Sequence, residues 1–146
     1  MVPFIALIGG FAALRLLGLA GVDMLDGWQP ALRGALALML VFTGVPHFLP
    51  SWRRDFVAMI PPVFPRPALL VTLTGVLELA GAAGLLLAPI APYAAVGLAL
   101  LMIAMFPANV SAARRGLTLA GKPVTPLPAR TALQVLLVAA AVAAAV

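Results

Sequence analysis

Apolar residues gather along the chain into five long runs, separated by short stretches rich in proline, glycine and charge. The runs cover about residues 3–20, 31–48, 68–88, 93–108 and 129–146. A membrane-spanning helix needs about 20 apolar residues, within a range of about 17–25. The second and third runs meet that length. The fourth and fifth are short and borrow a turn from their flanks. Arg15 interrupts the first. No basic residue precedes Arg15, and "GLAG" (18–21) is a loose match to a cleavage site, so this run reads as a retained helix rather than a leader.

Between the second and third runs the period changes. Trp52, Phe56, Met59 and Ile60 recur at helical spacing with Arg53, Arg54 and Asp55 between them. This predicts a short amphipathic helix over 51–60, lying on the membrane surface and stopped by Pro61 and Pro62. Trp52, Arg53 and Arg54 are its expected interfacial anchors. A second reading makes the helix a lid over a site beneath it.

Composition agrees with a lipid environment. Hydrophobic residues make up 64% of the 146 and charged residues 9%, against about 25% charged in soluble domains. That little charge cannot cover a water-facing exterior. The expectation is one all-α transmembrane domain spanning 1–146, an antiparallel bundle of five helices with short loops. Gly75, Gly81 and Gly84, with Ala80, Ala82 and Ala83 among them, mark close helix packing.

The net charge of +5 is unevenly placed. Segment 21–30 holds two acids and no Lys or Arg. Segment 50–67 holds Arg53, Arg54 and Arg66. Segment 109–128 holds Arg114, Arg115 and Lys122, and Arg130 follows. The positive-inside rule puts the two basic connections in the cytoplasm, the N-terminus inside and the C-terminus outside, in the inner (cytoplasmic) membrane. Basic charge spent on membrane anchoring argues against nucleic-acid binding.

Several chemistries are excluded. Without cysteine there is no disulfide, thiolate metal site or thiol redox centre. One histidine cannot make a bis-histidine haem site. Only His47 and Glu78 qualify clearly as metal ligands, too few for a catalytic metal, and there is no phosphate loop or nucleotide fingerprint.

Four polar residues remain as candidate ligand-binding or proton-relay groups: His47, Glu78, Asn109 and Gln134. Three of them, His47, Asn109 and Gln134, fall near the cytoplasmic ends of their helices. Glu78 is deeper, about 15 Å into the third run at 1.5 Å per residue. A charged side chain at mid-bilayer costs about 2.5–3.5 kcal/mol on insertion scales. Glu78 should therefore face the bundle and either pair or stay protonated, with Asn109 or Thr74 as structural partners. Pro46, Pro50 and Pro107 loosen helix ends beside this cluster. The expected result is a polar pocket with His47 at its rim and Glu78 at its floor. Arg15 is expected to reach outward towards Asp23 or Asp26.

"VFTGVPHF" (41–48), "DFVAMIPPVFPRPALLVTLTGVLELAGAAGLLL" (55–87) and "LALLMIAMFPAN" (98–109) together resemble the DoxX-like (DoxX/DoxD) membrane proteins. "ARTALQ" (129–134) resembles the start of that family's last helix, with Thr131 and Ala132 departing from the usual run. The resemblance covers about residues 35–137. It implies a four-helix core, with the first helix as an addition. It also implies a link to thiosulfate:quinone oxidoreductase, and so a redox-linked subunit binding a quinone or similar lipid-soluble molecule, with electrons supplied by a partner redox subunit. By resemblance the site residues are His47, Glu78 and Asn109. The alternatives are a non-enzymatic assembly, scaffold or lipid-binding protein, and a small proton-coupled transporter, which would call for a homo-oligomer.

Overall fold

The structure, a computed structural model, describes residues 2–146. The described residues form six α-helices: α1 (Val2–Leu19), α2 (Trp28–Gly44), α3 (Pro50–Met59), α4 (Pro67–Leu85), α5 (Ala91–Arg114) and α6 (Leu127–Ala145). All but α3 are long and apolar enough to cross a membrane; for α2 the span runs on through a 3-10 turn to Phe48. The exterior suits lipid. Ile5, Leu16, Leu69, Leu100 and Val135 are among many large apolar side chains more than half exposed. In water such a surface would be an aggregation or docking patch. The chain is a multi-pass membrane protein.

Proline sets many of the helix starts. α3, α4, α5 and α6 each carry one at their first or second position. There the missing N–H would have had no partner, and the fixed φ already suits a helix. α2 ends where Pro46 follows, tightening into the 3-10 turn Val45–Phe48. α3 begins one residue later, after Leu49 takes an extended conformation. The amphipathic helix thus lies within a residue of its expected position.

α5 differs from expectation. The apolar run ends near 108, but the helix continues to Arg114. Pro107 removes one ladder donor without ending it, because Val110, Ala112 and Ala113 keep a helical pattern and Ala112 is fully buried. Asn109 is therefore an interior helical residue, not a helix end. Beyond α5, a small hairpin pairs Thr118–Leu119 with Lys122–Pro123, inside a segment that reads as an irregular connection. Ala120 and Gly121, both at positive φ, make its turn.

Small residues bring the helices together. A Cβ on Gly10 would lie 3.5 Å from the Ala35 Cβ, and one on Gly34 would lie 2.7 Å from Leu14 Cδ1. These contacts seat α1 on α2. On α4, a Cβ at Gly81 would meet Leu98 of α5 at 2.5 Å, and one at Gly84 would meet Ala94 at 2.8 Å. The core consists of Ala35, Leu36, Met39 and Leu40 of α2, packed with Ala82 and Leu85 of α4, Ala95 and Leu98 of α5, and Ala144 of α6. α2 is the most buried span, and α1 and α6 are the least.

Arginines close the helix ends by binding carbonyl oxygens. At one end of the molecule Arg15 donates to the carbonyls of Leu25 and Asp26, and Arg33 donates to that of Ala144 at 2.9 Å. Arg15 thus reads the backbone near the acids rather than the carboxylates of Asp23 or Asp26. At the other end Arg115 donates to the Ala58 carbonyl at 2.8 Å, and Asp55 accepts from the Ala120 amide at 2.8 Å. α3, the end of α5 and the hairpin are tied together there.

Candidate functional site

His47 and Glu78 meet. The His47 Nε2 lies 4.0 Å from Glu78 Oε1, and they are the only two buried polar or charged side chains among the described residues, at 4% and 5% exposure. Two glycines allow this approach. On α4, a Cβ at Gly75 would stand 2.6 Å from His47 Cβ. On α2, a Cβ at Gly44 would stand 3.0 Å from Leu79 Cδ2 and 3.3 Å from Glu78 Cβ. The two backbones cross closely enough for both polar groups to share one dry position.

Thr43 completes the cluster. Its hydroxyl donates to Glu78 Oε2 at 2.8 Å, and its carbonyl lies 2.9 Å from His47 Nδ1. A carbonyl oxygen only accepts, so Nδ1 carries hydrogen and donates. Nε2 is left facing Glu78. In the neutral ring Nε2 is an acceptor, and in the imidazolium it is a donor. At 4.0 Å the pair is beyond direct hydrogen-bond range. Thr43 can follow either state. It donates to an ionised carboxylate, or it accepts from the protonated acid and turns its own hydrogen to the Leu40 carbonyl, 3.3 Å away.

α3 covers this cluster. The Phe56 ring stacks on the His47 ring with centroids 4.4 Å apart and planes 14° from parallel. Arg53 holds α3 down. It donates to the carbonyls of His47 at 3.1 Å and Ala68 at 2.9 Å, and to Thr72 Oγ1 at 2.9 Å. Of the three expected anchors, Arg54 points away from the bundle, with its side chain 87% exposed. Trp52 is half-buried and packs near Phe56. Arg53 is the fastening of α3 to the bundle.

Asn109 and Gln134 lie elsewhere, between α5 and α6. Asn109 Oδ1 accepts from Arg130, whose Nε also donates to the Thr125 carbonyl at 3.0 Å. Gln134 donates to the Met102 carbonyl at 2.7 Å. Neither touches Glu78. Thr74, the other partner expected for Glu78, bonds to carbonyls of its own helix. Of the four polar residues, His47 and Glu78 thus come together, while Asn109 and Gln134 each bond a different partner between α5 and α6. Two grooves open on the surface, one between α4 and α5 around Gly81, Gly84 and Tyr93, the other between α1 and α6 around Phe4 and Leu133. Both are apolar, and neither is lined by His47 or Glu78. Where a polar pocket with His47 at its rim and Glu78 at its floor is expected, the two side chains are packed together and buried. Among the described residues no group of three metal-ligating side chains comes together.

The sequence singles out neither Thr43 nor Gly44, and it marks Phe56 and Arg53 only as part of the amphipathic helix, Arg53 as an interfacial anchor. Thr43 was within its reach, since it stands one turn before His47 on the same helix face.

A family model described as a domain of unknown function, DUF8561, matches residues 36–145. The chain belongs to that family. The matched region holds the whole His47–Glu78–Thr43 cluster, α3 and the Arg130 cluster, and leaves out α1 and the first turns of α2. A search of curated proteins gave no match, and a search of solved structures gave none either.

Proposed function

We propose that this chain is a redox-linked subunit of the inner (cytoplasmic) membrane. In this reading the His47–Glu78 pair hydrogen-bonds, and exchanges protons with, the head group of a quinone or similar lipid-soluble molecule. The observation that carries the reading is the pair itself: an imidazole and a carboxyl, both buried between two spanning helices, with Nε2 turned to the carboxyl and a hydroxyl able to serve either protonation state. Maintaining such a pair at membrane depth is costly, and interhelical hydrogen bonds return only about 0.6 kcal/mol on average.

The donor set suits quinone carbonyls. Nε2–H of the imidazolium, a protonated Glu78 and the Thr43 hydroxyl all donate. A bound quinone would supply two-electron, two-proton chemistry, with electrons from a partner redox subunit, since the chain has no cysteine and a single histidine. Access requires Phe56 to leave the His47 ring, so α3 acts as the lid. The likeness to DoxX-like proteins supports this reading through the positions of His47, Glu78 and Asn109. The proposed topology is an antiparallel bundle, with α2, α4, α5 and α6 as its four-helix core, α3 and the hairpin cytoplasmic, the N-terminus inside and the C-terminus outside. Charge supports it: Arg53, Arg54, Arg66, Arg114, Arg115, Lys122 and Arg130 all belong to the α3 end.

The closed packing favours a second reading. With neither groove reaching His47, the cluster would clamp α2 to α4 in a non-enzymatic assembly or scaffold protein. One experiment separates the two. Small molecules retained by mild-detergent protein are identified by mass spectrometry, for the wild type and Glu78→Gln. Quinone in the wild type and its loss in the variant supports the redox site. Phospholipid alone in both sinks it, and a stoichiometric protein partner surviving the substitution supports the scaffold.

A further inference from the structure

Two attachments hold α3 over the His47–Glu78 pair, and they differ. On the α4 side Arg53 donates to the carbonyls of His47 and Ala68 and to Thr72 Oγ1. On the α5 side Asp55 Oδ2 accepts from the Ala120 amide at 2.8 Å, and the Ala58 carbonyl accepts from Arg115 Nη1 at 2.8 Å. Phe56, the ring that stacks on His47, stands between these last two points, one residue after Asp55 and two before Ala58.

The α5 side parts more readily. Both of its bonds lie at the exposed surface, where water replaces a lost partner at little cost. Two of the three Arg53 bonds are part-buried, and a donor freed there has less water to turn to.

The hairpin on that side is strained. Leu119 pairs with Lys122, so Ala120 and Gly121 alone make the turn, at φ of 51° and 75°. A two-residue turn with both central φ values positive calls for Asn, Asp or Gly at the first position. Alanine there brings its Cβ against the following carbonyl. Asp55 grips the amide of that same residue. The bond that closes α3 and the unfavourable turn therefore support each other: the bond holds Ala120 in place, and the turn presents its amide.

We infer that the hairpin is a latch on the His47–Glu78 pair. With the Asp55 and Arg115 bonds made, Phe56 covers the histidine. With them released, α3 lifts about its Arg53 attachment and opens the pair to the end of the molecule that carries the hairpin. The latch rests on the reading of α3 as a lid and names what controls it, whichever molecule the pair binds.

His47 is the only histidine, so its acylation by diethyl pyrocarbonate reports opening without ambiguity. The full chain in mild detergent is treated with the reagent, and the rate at His47 is read by peptide mass spectrometry. Phe56→Ala uncovers the histidine and should react about tenfold faster than the wild type or more. Asp55→Ala and Arg115→Gln should each raise the rate about threefold or more. Ala120→Asn, which gives the turn a residue suited to positive φ, should lower it about twofold. Arg54→Ala, at an exposed side chain, should leave it unchanged. Circular dichroism and a monodisperse elution profile accompany each variant; should Asp55→Ala fail to fold, Arg115→Gln and Ala120→Asn decide. A fast Phe56→Ala beside latch variants that keep the wild-type rate overturns the latch and leaves the lid standing. Phe56→Ala at the wild-type rate overturns both. Quinone retention is measured separately, so its absence strikes the redox reading and not the latch.

Discussion

Gly75 lies directly beneath His47: a Cβ on the glycine would stand 2.6 Å from the histidine Cβ and 3.0 Å from the Phe48 ring. The histidine approaches Glu78 only because α4 has no side chain at this point. The contact is to backbone-proximal atoms of a 3-10 turn, which cannot swing aside as the tip of a long side chain can.

Gly75→Ala should therefore separate α2 from α4. Overpacking of this kind costs about 1–3 kcal/mol. Gly97→Ala is the control, because a Cβ there meets nothing within 4 Å; it should not destabilise, and the helix preference of alanine should add up to about 1 kcal/mol. Unfolding titrations in mixed micelles measure both, and equal effects would refute the steric account.

The Thr43–Glu78 bond spans two helices at 2.8 Å. Thr43→Val keeps the shape and removes the hydroxyl. A double-mutant cycle of Thr43→Val with Glu78→Leu, which removes the acceptor, should give a coupling of about 0.6 kcal/mol, up to about 1.7. Zero coupling would mean that the two side chains do not sense each other.

Arg53 joins α3 to three oxygens of the bundle. Its replacement by alanine should release α3. Backbone amides of residues 51–59 should then exchange hydrogen about tenfold faster or more, while those in the middle of α5 stay protected. Arg54→Ala, at an exposed side chain, should leave the exchange unchanged. Exchange rates alike in both variants would contradict the fastening role.

The seat of α1 on α2 can be checked because the chain has no cysteine. The Cβ of a residue at 10 would stand 3.5 Å from that at 35, within the range of about 3.5–4.5 Å for a disulfide. Gly10→Cys with Ala35→Cys should crosslink on mild oxidation. Gly10→Cys paired with Leu38→Cys provides a neighbouring register for comparison, and should react more slowly. Failure of the 10–35 pair to crosslink in folded protein would place α1 elsewhere.

Much of this architecture is legible in the chain because its causes are local. Hydropathy decides which segments enter lipid, and a span must satisfy its own backbone, so five apolar runs become five long helices. The period of Trp52, Phe56 and Met59 is likewise enough to place α3. Helix continuation past Pro107 was less visible, since the apolar run stops where the amphipathic pattern takes over.

Partner choice is a different matter. Glu78 had to face the bundle, but which group it would meet depends on how each helix is rotated about its axis. That rotation is decided by non-local contacts: Gly44 against Leu79, Gly75 against His47, Gly81 against Leu98. They bring Thr43 and His47 to Glu78 and leave Asn109 to Arg130. Helical spacing specifies which residues of one helix share a face, and so the sequence by itself determined the spans, the surface helix and the basic end. Only the tertiary packing decided which faces meet, because close approach of two helices depends on where their small residues coincide in space.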